Sequence, residues 1–89
     1  MFDLADLRFL VSLAGASSLA GAARGLNVSP PAVSQRLAQI EARLHLRLVD
    51  RGRGPLRLTA EGAHLVARAR DILAELETLS DEMTARAGR

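Results

Sequence analysis

Residues 29–44 read S-P-P-A-V-S-Q-R-L-A-Q-I-E-A-R-L, and this stretch decides the fold. Ser29 is a good helix N-cap, because its hydroxyl can accept a hydrogen bond from an orphan N–H of the first turn. Pro30 and Pro31 fall inside that turn, where a missing N–H costs little. Val33, Leu37, Ile40 and Leu44 follow at offsets of four, three and four, which makes one apolar stripe on a helix. At about 100° per residue, Pro31, Gln35, Ala38 and Gln39 lie on the opposite side, with Ser34 on the flank. That outer face is small or polar and almost uncharged. It suits hydrogen-bonded reading at close approach, and the pattern predicts a helix that reads a DNA groove.

Immediately upstream, Ser18 is placed to cap a short helix over residues 19–25. Leu19, Ala22, Ala23 and Leu26 form its apolar face. The small residues Ala20, Gly21, Ala22 and Ala23 let another helix pack close. Gly25 is expected to help end it, since glycine costs about 1 kcal/mol relative to alanine in a helix. Only Asn27 and Val28 then remain before Ser29. Asn tolerates a left-handed backbone, and Val28 is expected to plug the corner. A short helix, a tight turn and a second amphipathic helix make a helix-turn-helix over residues 18–44. A first helix, over residues 3–14, presents Leu4, Leu7, Leu10, Val11 and Ala14 at helical spacing. Asp3 can cap it, and Asp3 and Asp6 suit its dipole. It reads as scaffold.

Downstream, the period changes. His45-Leu46-Arg47-Leu48-Val49-Asp50 moves toward alternation, Arg51-Gly52-Arg53-Gly54-Pro55 is a turn by composition, and Leu56-Arg57-Leu58-Thr59 alternates strictly. Two short strands around an arginine-rich tip predict a β-hairpin wing over residues 46–58. Leu48, Leu56 and Leu58 must lean on the helices, because an isolated hairpin is marginal. Thr59 caps a last helix over residues 60–85, roughly 39 Å long at about 1.5 Å per residue. Leu65, Ala69, Ile72, Leu76, Leu79 and Met83 repeat along it at four, three, four, three and four, and Val66 and Leu73 widen the seam. The first helix is expected to cover part of it, and a second copy of the chain the rest. The predicted dimer interface is Leu65, Ala69, Ile72, Leu73, Leu76, Leu79 and Met83. The fold class is therefore mainly α, a winged helix-turn-helix over residues 1–58 followed by a long dimerisation helix over 59–89.

Composition narrows the function. The 89 residues contain only two aromatic side chains, Phe2 and Phe9, so the core is aliphatic. There is no cysteine, which removes disulfides, thiolate metal sites and cysteine nucleophiles and fits a reducing cytoplasm. No apolar run approaches the roughly 18 residues of a membrane span. Residues 2–16 carry Asp3, Asp6 and Arg8 and are not expected to be a signal peptide. All twelve basic residues are arginine, and the net charge is +2. The charge is uneven: −1 over residues 1–17, +5 over 18–58 and −2 over 59–89. A positive middle flanked by acidic helices is the footprint of a polyanion-binding unit, although the same arginines also fit a solvated surface. His45 and His64 lie on different elements with no patterned carboxylate or nucleophile, so neither an enzyme nor a metal or cofactor site is expected. RNA binding is disfavoured because no aromatic stacks among the arginines. The competing reading is a helical protein-interaction module that does not bind DNA.

The stretches L-R-F-L-V-S-L-A at 7–14, S-L-A-G-A-A-R-G-L-N-V-S at 18–29, P-A-V-S-Q-R-L-A-Q-I-E at 31–41, L-R-L-V-D-R at 46–51 and R-L-T-A-E-G at 57–62 carry a resemblance. The chain resembles the N-terminal DNA-binding domain of bacterial LysR-type transcriptional regulators. The resemblance covers nearly the whole chain and implies a winged helix-turn-helix. It also implies a homodimer formed through the long helix, an interrupted palindromic operator, and a nucleoid-associated cytoplasmic protein. In a full-length member a ligand-sensing domain of two α/β lobes would follow, outside these 89 residues. Four departures stand out. Pro30 replaces the usual Gln after the capping serine. Leu19, Ala20 and Gly21 replace an aromatic, Thr and Arg. His45 replaces the glycine that ends the recognition helix, and Val49 replaces an aromatic.

These readings assign base contacts to Pro30, Pro31, Ser34 and Gln35 in the major groove. Gln35 is able to pair bidentately with adenine, and Pro30 offers only apolar contact. Backbone and minor-groove contacts are assigned to Ser18, Ser29, Arg36, Gln39, Arg51, Arg53, Arg57 and Thr59, with the wing arginines strongest. Arg24 and Arg43 read as structural or solvated.

Overall fold

The computed structural model describes residues 2–50 and 54–88. Four helices follow in order: α1 (Leu4–Ala14), α2 (Leu19–Leu26), α3 (Pro30–Leu44) and α4 (Ala60–Ala87). Each begins on the residue its sequence nominates. Asp3 caps α1, Ser18 α2, Ser29 α3 and Thr59 α4, every one accepting a backbone N–H three residues on. Asp3 and Asp6 form a reciprocal capping box, with both bonds at 3.0 Å.

The ends are as specific. Asn27 closes α2 with φ 59°, and His45 closes α3 with φ 55°. Both adopt the left-handed conformation usually given to glycine. The α2 helix thus runs past Gly25, and Asn27 does the stopping. Val28 departs from expectation, since it is exposed rather than plugging the corner. The core behind the turn is already filled by Ala22, Ala23 and Val33.

The core gathers Phe9, Leu10 and Leu13 of α1, the small face of α2, Val33, Leu37 and Ile40 of α3, Leu48 and Val49 after it, and Val66 of α4. Burying each large aliphatic side chain contributes about 1.5–3 kcal/mol. Leu44, Leu56 and Leu58 pack against this cluster half-buried, so the return of the wing does lean on the helices.

The wing itself is smaller than predicted. Among the described residues it is a single antiparallel pair, Val49 opposite Leu58, not two strands. Asp50 N–H donates to the Arg57 carbonyl at 2.8 Å and Thr59 N–H to the Leu48 carbonyl at 3.0 Å. The ladder would continue if Leu48 N–H turned to its opposite residue. It turns instead to the buried Glu41 carboxylate at 2.7 Å, which also accepts from Val49 N–H at 3.3 Å. A side chain of α3 therefore fastens the first arm of the wing to the core, while Thr59, opposite Leu48, already turns its carbonyl to Ala63 N–H as α4 begins.

The last helix starts on this junction. Thr59 Oγ1 accepts from Gly62 N–H at 3.0 Å and donates to the Arg47 carbonyl at 2.6 Å. Gly62 lies directly on the Leu48 backbone, where any Cβ would be driven into the Leu48 carbonyl. The α4 helix also packs along α1. The helix then continues through Ala87, two residues further than predicted.

Candidate nucleic-acid interface

The α3 helix stands on the core by Val33, Leu37 and Ile40 and turns its other side outward. Pro30, Pro31, Gln35, Ala38 and Gln39 are exposed there, and Ser34 is half-buried on the flank. The predicted reading face is thus assembled on one side of one rigid helix. Both side-chain amides, Gln35 and Gln39, border a cleft of about 470 Å³ shared with Arg36, Arg43, Asp3 and Asp6.

The wing closes against the start of α2. Leu56 N–H donates to the Ser17 carbonyl at 3.1 Å, and a cleft of about 340 Å³ opens between Ser18, Leu19 and the residues Val49, Asp50 and Pro55. Arg57 points away from the core between the half-buried Leu56 and Leu58, as its alternation predicts. Arg51 and Arg53, assigned to DNA backbone and minor groove, lie outside the described residues.

The hydroxyls divide into two kinds. Ser18 Oγ accepts from Gly21 N–H at 2.9 Å and Ser29 Oγ from Ala32 N–H at 3.3 Å. Each keeps its own hydrogen for an outside acceptor such as a phosphate. Thr59 gives its hydrogen to Arg47, so its hydroxyl joins the wing to α4 and has no proton left to donate.

Arg36 is also drawn inward. Its guanidinium donates to Asp6 Oδ1 at 3.1 Å and lies 4.9 Å from the centre of the Phe9 ring. Arg43 approaches the other Asp6 oxygen at 3.7 Å. Burial pushes the Asp6 carboxyl up. The Asp3 N–H bond, the Arg36 hydrogen bond and the charges of Arg43 and Arg36 outweigh that and hold it below the ordinary carboxylate range. This cluster couples α1 to α3 across thirty residues of sequence.

The seam of α4 divides. Ala69 is 0% exposed, already covered within its own chain, so it has no surface to offer an interface between chains. Leu65, Leu73 and Leu76 are half-buried. Ile72, Leu79 and Met83 are 41, 54 and 54% exposed, and Leu4 of α1 lies beside the same stripe.

The description of the lysR family of bacterial regulatory helix-turn-helix proteins matches residues 4–63. The chain belongs to that family. It is a DNA-binding unit of transcription regulation, in a family of regulators rather than enzymes. An HTH-type transcriptional regulator of Azotobacter vinelandii is 41% identical over 75 residues, covering 84% of this chain and 52% of that protein. The SDS degradation transcriptional activation protein of a Pseudomonas species is 41% identical over 73 residues, covering 82% of this chain and 24% of that protein. The chain thus spans between a quarter and a half of these relatives. The solved BenM DBD/benA site 1 DNA complex superposes with a TM-score of 0.86 at 28% identity, covering 97% of this chain and 99% of that one. Among the described residues no helix is long and apolar enough to cross a membrane, and no group of His, Asp or Glu could hold a metal ion.

Two buried carboxylates that support the site are not evident from the sequence. Glu41 counted there only as a charge, yet it lies four residues after Leu37, on the apolar side of α3. An acid at that position is the signal of a buried carboxylate with backbone partners. Asp6 read as a dipole complement, and no local pattern announced its arginine partners.

Proposed function

We propose that this domain binds duplex DNA as a homodimer, laying α3 into the major groove of each half of an interrupted palindrome. The observation that carries the reading is the exposed, nearly uncharged face of α3 on an interlocked core. The Ser18 and Ser29 hydroxyls and Arg57 surround it on the same family scaffold that holds DNA in the BenM complex. Gln35 reads a base edge, with Ser34, Pro30 and Pro31 lining the approach. Gln39, Ser18, Ser29 and Arg57 meet phosphates, joined by Arg51 and Arg53 of the wing tip. Release of counterions makes the affinity fall with salt. With few polar readers, part of the selectivity comes from DNA shape and bending.

The second copy covers Ile72, Leu76, Leu79 and Met83. Two recognition helices joined this way suit half-sites about one helical turn apart. The setting is the bacterial cytoplasm, at the nucleoid, with an effector-sensing domain following in the full-length protein. Binding-site selection tests the assignment of Gln35. Gln35→Ala is expected to lose preference at one base pair in each half-site, a discrimination worth about 1–3 kcal/mol. An unchanged motif removes Gln35 from base reading.

A further inference from the structure

We propose that Asp6 is a positioning residue for DNA recognition: it holds the Arg36 guanidinium on α1, out of the phosphate contacts, and thereby keeps α3 in its reading orientation. The inference rests on the DNA-binding reading above. Arg36 follows Gln35 directly and borders the same cleft as Gln35 and Gln39, so a released guanidinium would stand beside the DNA face. Two contacts oppose that release, the 3.1 Å bond to Asp6 and the Phe9 ring 4.9 Å away, and the carboxylate is itself fixed by Asp3 N–H at 3.0 Å. The carboxylate side chain is 7% exposed and that of Arg36 43%, so the pair is anchored from its buried end. A charge-assisted bond with a stacked guanidinium holds the arginine more firmly than a surface ion pair would.

Without Asp6, Arg36 would be a mobile cation beside the reading face, within reach of a phosphate flanking the groove. The domain would then gain affinity for any duplex and lose discrimination. The acid thus makes binding weaker and more selective, by withholding one arginine per subunit from sequence-independent contact.

The test is the salt dependence of duplex binding for four proteins: unsubstituted, Asp6→Asn, Arg36→Met and the double variant. Asp6→Asn is expected to steepen the slope of log affinity against log salt by about one per subunit. Arg36→Met is expected to leave the slope unchanged while narrowing the ratio between a selected and a scrambled duplex. The double variant is expected to return to the unsubstituted slope. A shallower slope in Arg36→Met means that Arg36 already touches phosphate, and overturns the proposal. So does an unchanged slope in Asp6→Asn, or a double variant as steep as Asp6→Asn, which would assign the effect to the lost negative charge alone. If Asp6→Asn does not fold by circular dichroism, Arg36→Met decides alone: its slope must hold and its ratio must fall. No binding by the unsubstituted protein at low salt overturns the DNA-binding reading itself. Binding with slopes outside this pattern overturns only the role of Asp6.

Discussion

The two halves of α4 carry the same apolar repeat and meet different fates. In the first half Gly62, Val66 and Ala69 are buried, Gly62 on the Leu48 backbone and Val66 in the core. From Ile72, near the middle of the helix, onward through the second half, Ile72, Leu79 and Met83 of the repeat stand exposed. A seam of period three and four thus reports that a helix face is to be covered, not which surface covers it. Here α1 meets the stripe at Leu4, its first residue, and the part left exposed is what a second copy would close in the proposed dimer.

Substitutions at the two halves should separate protomer stability from assembly. The largest loss belongs to the first half. Gly62→Ala forces a methyl into the Leu48 carbonyl, and chemical denaturation should show about 3 kcal/mol of destabilisation. A loss below about 1 kcal/mol would mean that the junction between wing and α4 yields easily. Next is Glu41→Ala, which leaves the Leu48 and Val49 N–H groups without this acceptor and should cost about 2 kcal/mol. Glu41→Gln keeps a carbonyl acceptor and should recover much of that, so equal losses in both variants would contradict the hydrogen-bond account.

The exposed stripe should answer in another way. Ile72→Asp is expected to change protomer stability by no more than about 0.5 kcal/mol. It should nevertheless turn dimers into monomers in sedimentation and remove the concentration dependence of Tm. A dimer that survives would place the interface elsewhere. The smallest effect is a pH dependence. The folded Asp6 carboxyl titrates below its unfolded counterpart, so its stabilisation is complete above the ordinary carboxylate pKa of about 3.9 and is lost as pH falls through the lower folded value. Asp6→Asn should flatten the stability curve in that acidic window and leave its slope near neutrality unchanged.

Most of the fold is legible in the sequence because its signals are local. Asp3, Ser18, Ser29 and Thr59 each announce a helix start. Asn27 and His45 sit where a left-handed residue is needed, and Val33, Leu37 and Ile40 mark the buried side of α3. What escapes depends on partners distant in the chain. Alternation around Val49 and Leu58 predicts strands, but Glu41 takes the Leu48 N–H and α4 begins at Thr59 on the opposite arm. Arg36 looks like any groove-side arginine until Asp6 arrives from thirty positions away. Thr59 reads equally as a cap or a phosphate donor until the Arg47 carbonyl claims its proton. Of the candidate site, the exposed face of α3 was readable from period alone. Which cations remain available to DNA was not, because that depends on how α1 packs against α3.

The measurement that tests the central claim most directly is fluorescence anisotropy of labelled duplexes titrated with this domain over a range of salt. One duplex carries two selected half-sites one helical turn apart, and the other is scrambled. The account predicts binding to both at low salt, a linear fall of log affinity with log salt, and tighter binding of the selected duplex with two chains bound. No binding at low salt, or equal affinity for the two duplexes at every salt concentration, would contradict it.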